Sequence, residues 1–429
     1  MTATPDPRPG TAPAPHLHRW TDRRVLGVAL AAFAAGFGQF GVIAALGDVA
    51  RHFGQIVPGS SITDQAGLSG TELGIGLAVI RLASLASLPL IGLADRYGRR
   101  TMLLGSLTLG LAMTVAAAAS PGYWWFVAIF ALGRPMLSTT NALAEVAAAE
   151  QTGAKDRTSA VALTAAGYGL GAGCIAEIHS LASGALGFRG TFLLAAVPLA
   201  AVPVLRRWIV EPDRFTIAAV EPDHPLPVLG AVGPRYRRRL VVIASVGFAV
   251  AVISGPATSF VFLYAQNVRH QHGYVTAAMV VGAGLGGLGG LLAGRWLADR
   301  VGRRPAGALG LVGLAVFGTL TYLGSGPELI VGYILGVTSG SVLAPAAGAL
   351  LTELFPTSVR ASVAGWWVAA SVIGAGVGLV VFGAVADVGD RFGVAAAVTF
   401  LPVSLAALLF LLLPETRGTE PEDLWPSAT

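Results

Sequence analysis

Apolar residues run through this chain in long blocks, separated by short polar stretches, with neither strict alternation nor a single apolar stripe. A helix needs about 20 apolar residues to cross the hydrocarbon core of a bilayer. Blocks of that kind fall near 25–46, 73–93, 102–119, 124–147, 159–182 and 191–205, then 240–264, 275–293, 306–323, 329–350, 362–385 and 394–413. They predict helices, because an open sheet edge leaves backbone groups unpaired in lipid and the blocks are too long for barrel strands. The expected fold is all-α and integral to the membrane, with six transmembrane helices in each half. The 57 glycines, many inside the blocks, suit close helix–helix packing in lipid.

Composition agrees. Only 12% of residues are charged and 54% are hydrophobic, where a soluble chain carries about 25% charge. The net charge of +5 comes from arginine, since Lys155 is the one lysine. In a soluble protein such a balance suggests nucleic acid; here the arginines sit in loops at a membrane surface, and no nucleic-acid partner is expected. The single cysteine, Cys174, lies inside an apolar block and reads as a buried structural thiol. Residues 1–22 are polar and proline-bearing, and no cleavable signal peptide is visible; they read as a disordered tail. Two six-helix bundles follow, 23–205 and 240–413, joined by a linker at 206–239 and ended by a tail at 414–429.

Loop charge sets the orientation. With Arg81 and Arg134 set aside as lying within helices, 22 basic residues fall in the tails and every second loop, against four in the other loops. Both termini are therefore expected in the cytoplasm.

The halves repeat one another. Gly92-Leu-Ala-Asp95-Arg96-Tyr-Gly98-Arg99-Arg100, a tight charged turn, recurs as Leu297-Ala-Asp299-Arg300-Val-Gly302-Arg303-Arg304, 204 positions on. Glu150 and Arg157 recur as Glu353 and Arg360, and Gly171-Ala-Gly173 as Gly374-Ala-Gly376, both 203 positions on. Glu211-Pro-Asp-Arg214 is loosely echoed by Pro414-Glu415-Thr-Arg417. A near-constant offset marks two parallel repeats, a form common among secondary transporters.

These motifs resemble those of the major facilitator superfamily, whose signature turn has the form Gly-x-Leu-Ala-Asp-Arg-x-Gly-Arg-Arg/Lys. Glu353-Leu-Phe-Pro356-Thr-Ser-Val-Arg360 and Pro414-Glu415-Thr-Arg417-Gly418 further resemble its sugar-porter and metabolite–proton symporter branch, although Glu150–Arg157 lacks the branch's proline. The resemblance implies a multi-pass carrier in the cell membrane that works by alternating access as a monomer. It also implies that Asp95 and Asp299 meet a helix end in the opposite half, where the helix dipole favours negative charge. Arg99, Glu150 and Arg157, mirrored by Arg303, Glu353 and Arg360, then form a gating clamp. The alternative is plain anchoring at the membrane surface.

Ionisable groups deep in a membrane are costly and point to function. Arg81, Arg134, Glu177 and His179 are four such groups, all in the first half. Arg81 and Arg134 fall on neighbouring helices at similar depth, where two guanidiniums repel unless something negative joins them. A substrate carboxylate or phosphate would do so; for Arg134 the alternative is a bond to broken backbone on the first helix. Glu177 suits a coupling proton or a structural partner for arginine. His179, on another face, suits either coupling or a core bond. Gln39, where related symporters often carry a carboxylate, binds substrate or a neighbouring helix. Asn141 and Tyr264, with Ser254 and Ser259, are further cavity candidates. Trp366 and Trp367 suit interface anchors. No Gly-x-x-x-x-Gly-Lys stretch, metal cluster or nucleophile constellation is visible, so neither ATP chemistry, enzyme activity nor a cofactor is expected. The sequence therefore predicts a proton-coupled symporter for a small organic acid or polar metabolite. Efflux of drugs and sugar transport are the alternatives within the fold, and a non-transporting membrane sensor is the remote one.

Overall fold

The computed structural model describes residues 18–55, 66–211, 229–230, 232–389 and 391–419. The tail at 1–22 and the middle of the linker at 206–239 thus lie mostly outside the described residues. The long helices are α1 (Arg23–Ala44), α2 (Gly70–Tyr97), α3 (Arg99–Ala117), α4 (Tyr123–Gln151), α5 (Lys155–Ala182), α6 (Gly184–Trp208), α7 (Pro234–Val268), α8 (Gly273–Arg300), α9 (Arg303–Leu323), α10 (Pro327–Glu353), α11 (Val359–Val388) and α12 (Phe392–Leu412). Eleven are long and apolar enough to cross a membrane. The exception is α4, with 29 residues that include Arg134, Asn141 and Glu145. A short helix, Leu46–Phe53, follows α1.

Two boundaries differ from those expected. The charged stretch after 93 is helical rather than a nine-residue turn: α2 continues to Tyr97 and α3 begins at Arg99. Asp95 and Arg99 pair one helical turn apart, and only Gly98 leaves the helix, at φ 94°. A left-handed φ of that kind favours glycine, and Gly302 takes φ 129° at the equivalent place. No long loop separates α5 from α6; the chain instead kinks at Gly187 in the first turn of α6 (φ 54°, ψ −166°).

Glycine sets the helix pairs. Gly167 and Gly171 on α5 back onto the carbonyls of Ala29 and Phe33 on α1. The second half repeats this with Gly374 and Gly378 on α11 against Phe248 and Val252 on α7. A Cβ at any of the four would meet backbone, so the small residue four positions apart fixes the approach.

The two halves meet along α2 with α11 and α5 with α8. Gly70 lies against Gly383, and Gly273 against the Ser180 carbonyl. These contacts are equivalent under the 203-residue repeat, since 70 maps to 273 and 180 to 383. Gly47 packs on the Asn267 side chain nearby. All lie at the end away from the Asp-Arg-x-Gly-Arg-Arg turns, here the far end. The seams reach Leu82 with Gly376, and Gly173 with Val280. The molecule is shut at its far end.

Candidate functional site

At the turn end, each half ties itself together. Arg99 pairs with Asp95 (2.6 Å) and Glu150 (3.4 Å), and Arg303 with Asp299 (3.2 Å) and Glu353 (3.2 Å). These pairs stay within one half, and Asp95 is 47% exposed. Arg157 is exposed and makes no ion pair among the described residues, while Arg360 donates to the Phe355 carbonyl (3.3 Å). Partly exposed pairs of this kind contribute about 0–1 kcal/mol each, so they position helices more than they stabilise them.

Two further carboxylates complete these clusters. Glu211 accepts the backbone N–H groups of Arg99 (2.5 Å) and Arg100 (3.1 Å). Glu415 accepts those of Arg303 (2.8 Å) and Arg304 (3.1 Å). Each sits on the N-terminus of a helix, α3 or α9, where free N–H groups and the helix dipole favour a negative charge. Burial alone would raise the Glu415 carboxyl. The backbone donors of Arg303, Arg304, Arg417 and Thr416 outweigh it and hold the group below its ordinary value. A group depressed in this way stabilises at neutral pH and loses that contribution as pH falls through its folded-state value. Glu415→Gln is therefore expected to cost about 0.5–1.5 kcal/mol of stability. In a melting experiment the gap from wild type should be clear at pH 7 and should close in acid.

Deeper in the first half, α1, α2, α4 and α5 bring Gln39, Arg81, Arg134 and Tyr168 together. Arg134 is 9% exposed and Gln39 3%. Arg81 and Arg134 lie within electrostatic range of each other and of Tyr168. The Tyr168 hydroxyl donates to Gln39 Oε1 (3.3 Å). Gln39 Nε2 and Arg134 Nε are buried donors without partners. Among the described residues, neither guanidinium has a carboxylate or a hydrogen-bond acceptor. Like charge brought together with buried, unpaired donors leaves chemistry that an anion can satisfy. Tyr168 was not singled out from sequence. It is placed by the glycine seam, because Gly36 on α1 lies directly on its carbonyl.

The other candidates scatter. Asn141 donates to Glu145 (3.3 Å) on the same helix and leaves its own Oδ1 buried and unpaired. The Tyr264 hydroxyl donates to the carbonyls of Tyr322 (2.9 Å) and Gly324 (3.0 Å), which ties α7 to the end of α9, apart from the arginines. Ser259 is buried, and the Trp366 indole donates to the Gly230 carbonyl (3.3 Å). Ser254 lines a cavity of about 300 Å³ between α7, α9 and α10, with Thr258, Thr321, Tyr333 and Ser341.

His179 is fully buried. Its Nδ1 meets the Thr191 hydroxyl (2.8 Å), and its Nε2 faces Asp48 Oδ2 (3.6 Å). Burial raises the Asp48 carboxyl, against the pull of His179 and Arg51. Glu177 has no charged partner among the described residues, and its Oε2 is buried and unpaired. It lies four residues after Gly173 and three before Ser180, hence on the α5 face that meets α8.

The Major Facilitator Superfamily profile matches residues 28–297 and 287–426. The chain belongs to the Major Facilitator Superfamily. It is 26% identical to the "Probable 4-methylmuconolactone transporter" of Cupriavidus pinatubonensis, over 87% of this chain and 88% of that one. It is 23% identical to the gentisate transporter of Corynebacterium glutamicum, over 74% of this chain and 73% of that one. Its fold is similar to the inward-open xylose transporter XylE of E. coli, with a TM-score of 0.72 at 19% identity, covering 94% of this chain and 100% of that one. The protein is a multi-pass membrane transporter and not an enzyme.

Proposed function

We propose that this transporter takes a small organic anion into the cell by alternating access, in symport with protons. The observation that carries the proposal is the pair Arg81 and Arg134. Arg134 is buried and Arg81 is half-buried beside it, and no carboxylate among the described residues matches them, with Gln39 and Tyr168 nearby. A carboxylate bound there would neutralise the pair and receive planar, bidentate donors. The hydroxyl-bearing cavity of Ser254, Thr258, Tyr333 and Ser341 in the second half suits the rest of such a molecule. The names of the relatives agree, gentisate being an aromatic carboxylate. Glu177, on the seam between the halves with one oxygen unpaired, is the group proposed to carry the proton. The frame for this reading is twelve spans with both termini in the cytoplasm, which makes the far end the outer one and the present state closed to the outside. A ligand that binds the folded state raises its melting temperature. Purified transporter titrated with gentisate, xylose and tetraphenylphosphonium should be stabilised by gentisate. Stabilisation by xylose or the cation, with none by gentisate, would overturn the anion reading.

A further inference from the structure

The outer end of α11 carries a carboxylate that reaches into the opposite half. Asp387 Oδ1 accepts the backbone N–H of Gly70 (2.6 Å), and Oδ2 accepts that of Thr71 (2.8 Å) together with the Thr71 hydroxyl (2.5 Å). Gly70 and Thr71 are the first two residues of α2. The third N–H of that helix, from Glu72, is taken by the Ser69 hydroxyl (3.0 Å), and the fourth, from Leu73, by the Ser69 carbonyl (3.0 Å). The three free donors of the first turn of α2, from Gly70, Thr71 and Glu72, are therefore satisfied, two of them only by a residue more than 300 positions away. The bonds are charge-assisted and lie along the helix dipole.

Close approach makes them possible. Gly70 and Gly383 meet without room for a Cβ on either, which brings the α2 N-terminus to Asp387 one helical turn further on. The second seam, related by the repeat, lacks this device. Gly273 is equivalent to Gly70, but the position equivalent to 387 is Gly184, which has no side chain. The carboxylate is thus confined to one of two matched seams, so seam geometry alone does not account for it.

We propose that Asp387 is the latch that holds the far end of this transporter shut, through the N-terminus of α2. The proposal rests on the alternating-access reading. When the halves part at this end, Gly70 and Thr71 lose their acceptor and Asp387 loses three donors at once, so the latch favours the present state. It positions the halves and has no part in substrate contact.

The test reads conformation without substrate. With Cys174 replaced by serine, spin labels at Pro121→Cys and Ser325→Cys, both exposed positions, mark the far ends of the two halves. In lipid nanodiscs, Asp387→Ala should shift the distance distribution from short to long, changing the closed-to-open ratio by about tenfold or more. Thr71→Val removes one donor and leaves the backbone bonds. It should shift the distances the same way by less, and it serves where Asp387→Ala folds poorly. Gly383→Trp, which leaves no room for the closed seam, is the control for opening. Distances that lengthen with Gly383→Trp but with neither Asp387→Ala nor Thr71→Val overturn the latch alone. Distances that lengthen with none of the three overturn alternation as well. Because no anion is present, the outcome is independent of what Arg81 and Arg134 bind.

Discussion

Arg134→Ala is expected to weaken binding of an anionic substrate by about a hundredfold or more, while the protein still folds and inserts. Truncating one partner of a buried, hydrogen-bonded charge pair typically costs about 2–5 kcal/mol in binding. Arg134 is 9% exposed and has an unpaired Nε, so substrate would supply partners that the described protein groups do not. The free protein should tolerate the loss well, since removing one of two like charges relieves the repulsion from Arg81. Arg81→Lys should weaken binding less. It keeps the charge but loses the planar fork that matches a carboxylate. The measurement is a gentisate titration by calorimetry or tracer binding, with a melting curve for each variant. Wild-type affinity in Arg134→Ala would remove the arginine pair from the binding site. A collapsed melting temperature with unchanged affinity in the surviving fraction would make Arg134 a structural residue.

The fold was legible because lipid leaves few options. Long apolar blocks can only be helices, and the offset from Asp95 to Asp299 and from Glu150 to Glu353 exposed the duplication directly. The capping carboxylates were less legible. The echo between Glu211 and Glu415 could be read, but what each does depends on a partner 112 residues away on another helix. Asp387 was not singled out, because it falls just beyond the block 362–385 and its partners lie in the opposite half. Tyr168, set among glycines, carried no signal of its own; the α1–α5 seam places its hydroxyl on Gln39. Tyr264 shows a limit of counting along a regular helix. The chain breaks at Phe260 and enters a π turn at Tyr264 itself, so the hydroxyl finds backbone carbonyls of α9 and its following loop. The common cause is physical: burial follows from composition and period, whereas pairing depends on which helices touch.

The same distinction decides where the coupling proton is sought. His179 and Glu177 are two residues apart, yet they meet opposite surroundings. His179 has both ring nitrogens engaged, by Thr191 and Asp48, and is sealed within the first half. A change in its charge would disturb that contact within the first half. Glu177 faces the seam. Its neighbours on that face, Gly173 and Ser180, touch Val280 and Gly273 of the opposite half, so parting the halves at this end exposes it to water. A carboxyl that is hydrated in one state and half-buried without a cation in the other binds a proton differently in the two. In the proposed symport, that difference is what would link proton movement to the rocking of the halves. Glu177→Gln keeps the shape and cannot titrate. In proteoliposomes it is expected to abolish accumulation of gentisate driven by an inward pH gradient. Exchange of labelled for unlabelled gentisate needs no net proton movement and should persist at near wild-type rate. His179→Gln should instead lower the melting temperature and leave accumulation in place. If Glu177→Gln still concentrates gentisate against its gradient, the proton site lies elsewhere, and accumulation lost in His179→Gln with exchange retained would move it to the Asp48–His179 pair.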